Sequence, residues 1–496
     1  MSTGASWAES FLESKRTVWV VSAVIICFFV LTNLPWQLDD YDQAAQAFTS
    51  FEMVKEGHWF FQRTPRGLLA LKPPLIGWFS AATFAVTRSW NVGWRLPSFL
   101  SAGLMAIIIF RRSLAAYGTA PALIALSAFG LNLLSVRLAT LVRTDMPLAF
   151  FLFLPGLLIW QKIRARAPWE SRDRWVMFAL LTASMFIKGP MNFAFLLPGI
   201  VIFQWLVAKR TGTSAWCGWW PWLASLAPIL LWAIGGIKFV PRFYELVVAK
   251  ELLGRFSTTV HRSQPVLFYL PHLLQKFAPW SVLIPAFAVV SYRKTRAGLR
   301  NFIRDTSPET LWLVCWSLGA LVVMSLIPSK RVDRIYPVIP PLCLLLAAQV
   351  AGLLREDDSA ARVRRWSVAA LFFAIVFTGS YTAAKVFSNY RDSADSLEAF
   401  ADRVSDQAEA HHWRFEIIPG KRGGYDGMLL YLQKLYFTRP AQAIQAWKDG
   451  TLDVLLVPKE RIPEVLPHLS SSRISFSSVE RKSDPAFGFV CITRQD

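Results

Sequence analysis

The sequence predicts a polytopic α-helical membrane protein that carries a small α/β domain at its C-terminal end. Apolar residues make up 54% of the 496 residues, and the mean hydropathy is +0.37. Windows of about twenty apolar residues, the length that crosses a bilayer, recur along residues 1–388. Within residues 389–496 the apolar runs are short and alternate with helix-like segments. The chain is therefore divided into a transmembrane domain, 1–388, and a second domain, 389–496.

Hydropathy and charge predict about eleven transmembrane helices. The predicted spans are 17–36, 92–110, 115–134, 146–161, 175–188, 190–207, 218–238, 279–292, 309–328, 336–354 and 366–387. The apolar stretch from Pro73 to Val86 is excluded because about fourteen residues are too few for a crossing and typical of an interfacial segment. It belongs to a first external loop, residues 37–91, with juxtamembrane helices.

Basic clusters between the spans predict the orientation. With Pro73 to Val86 on the surface, they all fall on the side of the N-terminus: Arg111/Arg112, Lys162 to Arg174, Lys209/Arg210, Arg293 to Arg304 and Arg355 to Arg365. Positively charged loops remain in the cytoplasm, so the N-terminus is predicted to be cytoplasmic. The loops near Asp42, Asp145 and Lys330, together with the C-terminal domain, are then extracytoplasmic.

Composition also excludes several functional classes. The net charge of +20 lies in short clusters between apolar spans, which indicates topology and anionic membrane lipids as partners and no nucleic acid. Four of the five cysteines lie in or beside apolar spans, without a disulfide framework or zinc spacing. The sequence contains neither a Gly-x-Ser-x-Gly elbow nor a Cys paired with His, so no covalent nucleophile is predicted.

The C-terminal domain is predicted from three short apolar runs, Phe415 to Ile418, Val454 to Val457 and Phe487 to Ile492. Two helix-like pieces, Ser396 to Ala410 and Ala441 to Lys448, lie between or before them. This alternation is typical of a small α/β domain. No catalytic role is assigned to it.

An acid and a cation are predicted to share the external membrane boundary. Asp42 follows the first span, and an acid there is a functional candidate because it is costly to keep at the edge of a bilayer. Lys72-Pro73-Pro74 lies in the same external loop, and the two prolines stiffen the backbone that carries the lysine. This combination indicates a reaction on a charged lipid.

An ordered set of motifs resembles the bacterial dolichyl-phosphate-mannose-protein mannosyltransferase-like family, to which the aminoarabinose transferases of lipid A belong. The motifs are Asp42, Glu52-Met53, Gly57-His58-Trp59, Lys72-Pro73-Pro74, Arg95-Leu96-Pro97-Ser98, Thr144-Asp145-Met146, Lys188-Gly189-Pro190, Arg255-Phe256 with His261, Pro279-Trp280, Ser329-Lys330 and Tyr336-Pro337. The resemblance covers roughly residues 35 to 345. It implies a GT-C fold, a polyprenyl-phosphate-sugar donor and an inverting glycosyl transfer on the outer face of the bacterial cytoplasmic (inner) membrane.

One departure from the family concerns metals. The family usually has Asp-Glu where this chain has Asp42-Gln43, and an amide cannot supply charge to a metal. The sequence therefore supports no cofactor and no metal ligand, and a divalent metal stays only an open alternative. Asp42 is preferred to Asp39 and Asp40 because its distance to Trp59 matches the family spacing.

Sugar transfer from a lipid phosphate needs a base for the acceptor proton and cations for the phosphate. Asp42 is the predicted base, and Asp145 is predicted to orient the acceptor or to share that role. The predicted phosphate ligands are Lys72, then Arg255 and Arg262, then Lys330 and Arg331. Further candidate substrate contacts are Arg63, Arg66, Gln43, His261 and Lys188.

Structural alternatives remain open for these residues. Asp42 and Asp145 each stand where a helix start is expected, and Lys72 at a membrane boundary can extend to lipid headgroups. A lipid-linked sugar flippase also needs polar groups at a lipid groove, although no internal repeat or acid within a span favours it. A polysaccharide polymerase or ligase is a second enzymatic alternative. The acceptor stays open among lipid A, another glycolipid, a cell-wall polymer and protein.

Overall fold

The protein is described by a computed structural model in which the chain is mostly helical. The structure describes residues 3–38, 41–208, 212–252, 263–295, 298–355, 357–393, 396–421, 425–478 and 488–494. The first ten α-helices are α1 Thr3–Glu13, α2 Lys15–Leu31, α3 Tyr41–Glu56, α4 Leu75–Thr87, α5 Trp90–Tyr117, α6 Thr119–Gly130, α7 Leu133–Leu138, α8 Asp145–Ala165, α9 Ser171–Lys188 and α10 Met191–Phe203.

The remaining α-helices either precede the C-terminal sheet or lie between its strands in the sequence. They are α11 Trp220–Phe239, α12 Tyr269–Lys276, α13 Trp280–Thr295, α14 Gly298–Asp305, α15 Pro308–Leu326, α16 Ile339–Leu354, α17 Asp357–Ser393, α18 Leu397–His411, α19 Asp426–Tyr431, α20 Pro440–Lys448 and α21 Ile462–Val465. The π-helical segments are Gln204–Ala208 and Tyr244–Leu252. The 3-10 turns are Val266–Phe268, Val332–Val338, Lys459–Arg461 and Leu466–His468.

Every segment predicted to span the membrane overlaps a helix. Among the described residues, six helices are long and apolar enough to cross a membrane, or up to eight if each of two bent pairs forms one span. Three shorter apolar helices, Leu75–Thr87, Thr119–Gly130 and Met191–Val207, add to these. The multi-pass architecture is thus evident, whereas the count of about eleven spans is not confirmed and stays a prediction.

Helix α4 occupies the stretch that was excluded from the spans. It has 13 residues and begins directly after Pro74. Because α4 packs against both α3 and α5, it forms part of one folded unit with the helix that carries Asp42. Its placement on the outer membrane surface stays a prediction.

Helices α10 and α15 pack unusually closely, and glycines permit the contact. A Cβ atom added at Gly199 would lie 2.6 Å from the Cα of Trp316, and one added at Gly319 would lie 2.7 Å from the backbone nitrogen of Gly199. Small residues let helix backbones approach in this way within membranes.

We expect Gly199→Ala to destabilise the folded protein by about 1–3 kcal/mol, because the added methyl group must separate two helix backbones. Thermal unfolding of the purified protein in detergent measures this loss as a lower midpoint. Gly103→Ala is the matched control, since a Cβ atom at Gly103 in α5 meets nothing within 4 Å. Equal midpoints for the two variants would contradict the close-packing argument.

The C-terminal residues form a four-stranded sheet with the order β1-β2-β4-β3. The strands are β1 Phe415–Ile417, β2 Val454–Pro458, β3 Ser472–Ser477 and β4 Phe489–Arg494. β1 is parallel to β2, and β4 is antiparallel to both β2 and β3. The predicted α/β character is confirmed. Strand β3 was not predicted, because it is an edge strand whose sequence, SRISFS, alternates polar residues with few apolar ones.

Helix α3 shares a hydrophobic core with the C-terminal sheet unit. Ala44, Phe48 and Phe51 of α3 are buried together with Phe400 of α18 and Met428 of α19. The backbone N–H of Leu38 also donates a hydrogen bond to the Tyr431 hydroxyl oxygen at 2.6 Å. The C-terminal residues therefore support the helix that carries Asp42. The division at 388/389 stays a prediction, and α17 continues beyond it to Ser393.

Candidate active site

Helix α3 presents Asp42 on the face opposite its contacts with the C-terminal sheet unit. Successive residues turn by about 100° in an α-helix, so Asp42, Gln46 and Thr49 share one face, whereas Phe48 and Phe51 lie on the other. The apolar face packs in the core shared with the C-terminal sheet. The polar face is therefore directed toward Lys72 and toward the chain segments that precede α8 and α16.

Two arginines from distant parts of the chain meet the Asp42 carboxylate. Arg331 Nη2 lies 2.5 Å and Arg143 Nη2 lies 3.6 Å from Asp42 Oδ2. Burial raises the pKa of Asp42, but the hydrogen bond and charge of Arg331 and the charges of Arg143 and Lys72 lower it, and the net shift is downward. Asp42 is therefore an ionised carboxylate at neutral pH.

Arg143 also belongs to a buried ion-pair network. Its Nη1 lies 2.8 Å from Asp333 Oδ2, and both side chains are only 8% exposed. Arg137 Nη1 lies 3.3 Å from Asp333 Oδ1. Asp333 thus connects two arginines, one of which faces Asp42.

Lys72 is close enough to both predicted catalytic acids for its charge to act on each of them. Its Nζ donates a hydrogen bond to Gln46 Oε1 at 3.3 Å, so the Lys72 side chain packs against the polar face of α3. The Lys72 charge acts on both Asp42 and Asp145. The structure therefore brings the predicted base, the predicted second acid and the first predicted phosphate ligand together.

Asp145 begins α8 and pairs with the last residue of α9. Lys188 Nζ lies 2.5 Å from Asp145 Oδ1, and both side chains are 11% exposed. An acid at a helix N-terminus and a lysine at a helix C-terminus each match the local helix dipole. The predicted helix start at Thr144-Asp145 is thus confirmed, while the charge of Lys188 is directed at Asp145.

Lys330 and Arg331 point to different partners. Arg331 contacts Asp42, and its side chain is 48% exposed. Lys330 is buried and donates a hydrogen bond from Nζ to the backbone oxygen of Gln264 at 3.0 Å. Burial lowers the pKa of Lys330. Arg331 is therefore the better placed of these two predicted phosphate ligands.

The remaining predicted contacts are more peripheral. Gln43 Oε1 accepts a hydrogen bond from the backbone N–H of Val142 at 3.2 Å, and Arg66 Nη2 donates to the Gly420 oxygen at 3.0 Å. Arg63 is exposed and forms an isolated β-bridge with Leu69. The predicted residues Arg255, His261 and Arg262 lie outside the described residues, as do Asp39 and Asp40.

Three site residues were not predicted: Arg137, Arg143 and Asp333. Arg143 precedes Asp145 by two positions, and Asp333 follows Arg331 by two, so each adjoins a predicted site residue. That proximity was the available signal, but the sequence does not reveal that these two loops meet.

Elsewhere on α3, buried Glu52 pairs with His58 Nδ1, and burial raises the pKa of Glu52 although His58 opposes the shift.

The donor set of the site is basic and carries few possible metal ligands. Within the described part of the chain, no group of three or more His, Cys, Asp or Glu residues could hold a metal ion. Gln43, the amide that follows Asp42, accepts a hydrogen bond from the backbone N–H of Val142. The arrangement is instead suited to an anion: two acids remain beside three cations, Lys72, Arg143 and Arg331.

Comparison of the whole chain with solved structures identifies its architecture. ArnT from Cupriavidus metallidurans bound to undecaprenyl phosphate superposes with a TM-score of 0.69 at 17% identity, covering 96% of this chain and 98% of ArnT. The Archaeoglobus fulgidus oligosaccharyltransferase in complex with Zn and sulfate gives a TM-score of 0.51 at 10% identity, covering 95% and 72%. The chain has an ArnT-like GT-C fold. The fold class that the resemblance implied is thereby confirmed.

Curated sequences agree with this GT-C assignment. The chain is 28% identical over 370 residues to the undecaprenyl phosphate-alpha-4-amino-4-deoxy-L-arabinose arabinosyl transferase of Aeromonas salmonicida, covering 71% of this chain and 63% of the relative. The chain thus spans less than two thirds of the length of the curated relatives that it matches first. No protein-family model matches it.

Proposed function

We propose that this GT-C protein is a glycosyltransferase of the bacterial inner membrane that transfers one sugar from a polyprenyl phosphate, with undecaprenyl phosphate as the carrier, to an extracytoplasmic acceptor. The observation that carries the proposal is the position of Asp42 against Arg331 and Arg143, beside Lys72. The name of the Aeromonas relative and the lipid bound to ArnT support this donor class. The acceptor is lipid A, another glycolipid, a polymer or a protein.

In the proposed reaction, Asp42 accepts the proton of the acceptor hydroxyl or amine. The acceptor atom forms a bond to the anomeric carbon as the bond from that carbon to the phosphate oxygen breaks. The electron pair of the broken bond remains on the lipid phosphate, where Lys72 and Arg331 stabilise the charge. A single displacement of this kind inverts the anomeric configuration and needs no covalent enzyme intermediate.

The Asp42–Arg331 pair suggests how the donor prepares the base. Arg331 is about half exposed, so its guanidinium can turn toward an incoming phosphate. Removal of Arg331 from Asp42 takes away a charge and a hydrogen bond that lower the pKa of Asp42. Donor binding would therefore leave Asp42 more basic at the moment when a proton must be accepted.

The proposed topology places the N-terminus in the cytoplasm and the site, with the C-terminal sheet unit, outside. This orientation follows from the basic loops between the spans. Cysteines introduced at positions 66 and 421, which lie close together because Arg66 donates to Gly420, should both react with a reagent that does not cross the membrane. Protection of these positions in intact cells would contradict the orientation.

A transfer assay tests the proposed activity. The purified protein in detergent is incubated with radiolabelled polyprenyl-monophosphate sugars and an extract of bacterial envelope lipids, polymers and proteins. Label that appears in an acceptor through a new glycosidic bond supports the transferase. In proteoliposomes, movement of intact labelled donor across the bilayer without such a bond would instead support a flippase.

A further inference from the structure

The guanidinium of Arg143 faces two carboxylates, those of Asp333 and Asp42. The role inferred from this arrangement rests on the proposed function. Arg143 uses Nη1 to contact Asp333 at 2.8 Å and Nη2 to face Asp42 at 3.6 Å. Arg143 and Asp333 are both nearly fully buried. A buried arginine that loses one carboxylate partner must satisfy its charge elsewhere, and Asp42 is already beside it.

We propose that Asp333 is a positioning residue that holds Arg143 back from Asp42, so that Asp42 can act as the base once the donor phosphate has engaged Arg331. Asp333 acts through Arg143 and does not itself contact the reacting atoms. Arg137 moderates the effect because it shares the Asp333 carboxylate at 3.3 Å.

The surrounding charges determine in which direction the loss of Asp333 shifts the pKa of Asp42. Asp42 faces Arg331, Arg143 and Lys72, which come from three different segments of the chain. Asp333 faces Arg137 and Arg143, and its charge also acts on Arg331 and on Tyr381 of α17. Loss of the Asp333 charge removes an anion near Asp42 and frees Arg143 to approach it. Both changes lower the pKa of Asp42 and weaken it as a base.

Asp333→Asn should therefore lower kcat by roughly tenfold while the donor KM changes by less than about twofold. Asp333→Glu, which retains the charge, should recover most of the rate. The matched control is Asp173→Asn, which breaks the Lys162–Asp173 pair of 2.5 Å at the start of α9. A merely structural role for Asp333 predicts equal losses of folded protein and activity, with no selective effect on kcat.

Arg137→Gln is expected to shift the pKa of Asp42 in the opposite direction. This variant carries less risk of misfolding because Arg137 is 34% exposed. Asp333 would then bind Arg143 alone, so the pKa of Asp42 should rise and the acid limb of the kcat profile should move to higher pH by about one unit. An unchanged limb in Arg137→Gln, or a normal kcat in Asp333→Asn, would overturn the positioning role while leaving the transferase intact. Absence of transfer by the wild-type protein would overturn both.

Discussion

Replacement of Asp42 by asparagine is expected to lower the turnover of sugar transfer by about 10²–10⁴-fold, the range that a positioned general base contributes. Asparagine keeps the size and the hydrogen-bonding oxygen of the side chain, but it cannot accept the acceptor proton. The same change should leave donor affinity equal or higher. Asp42 competes with the donor phosphate for Arg331, which it contacts at 2.5 Å, and the amide competes less strongly.

The two effects are separated by measuring kcat for transfer and, independently, binding of undecaprenyl phosphate to the purified variant. Asp173→Asn serves as control because it also removes an aspartate from the first turn of a helix, where it pairs with Lys162. Near-normal turnover in Asp42→Asn would remove Asp42 from the proposed chemistry. A parallel loss of donor binding and thermal stability would assign Asp42 a structural role instead.

The fold was largely predictable because its signals are local. Long apolar windows predict membrane helices, and the short runs that became β1, β2 and β4 predict strands. Strand β3 was missed because an edge strand that is largely exposed needs little apolar patterning. The association of α3 with the C-terminal unit was also missed, since the buried positions Ala44, Phe48 and Phe51 do not specify which distant segment covers them.

The candidate site was predictable only in part for a related reason. Asp42, Lys72 and Asp145 could be proposed because a charged residue at a membrane boundary is conspicuous in a sequence. The pairing of Arg331 with Asp42 and of Lys188 with Asp145 depends on which helix ends meet, and single-sequence patterns do not contain that information. Arg143 and Asp333 become meaningful only once the loop before α8 and the turn before α16 are placed side by side.

Lys72→Ala is expected to weaken binding of the polyprenyl-phosphate donor by about 10–100-fold, which corresponds to the loss of one charge-assisted hydrogen bond to a phosphate oxygen. The effect should appear in donor affinity because Lys72 is a cation beside the acids and is proposed to contact the phosphate directly. Its removal also takes away a charge that lowers the pKa of Asp42. The base should therefore become slightly stronger, so a defect in proton transfer is not expected to cause the loss.

The measurement is equilibrium binding of undecaprenyl phosphate to the purified protein, repeated at several salt concentrations because screening weakens a contact between exposed charges. Lys72→Arg should retain much of the affinity, since the charge remains and arginine also binds phosphate. Lys55→Ala is the control: Lys55 lies on α3 with its ammonium 5.8 Å from the Phe51 ring centroid. Unchanged affinity in Lys72→Ala, or an equal loss in Lys55→Ala, would leave Lys72 without a role in donor binding. The phosphate would then have to be held by Arg331 and other cations.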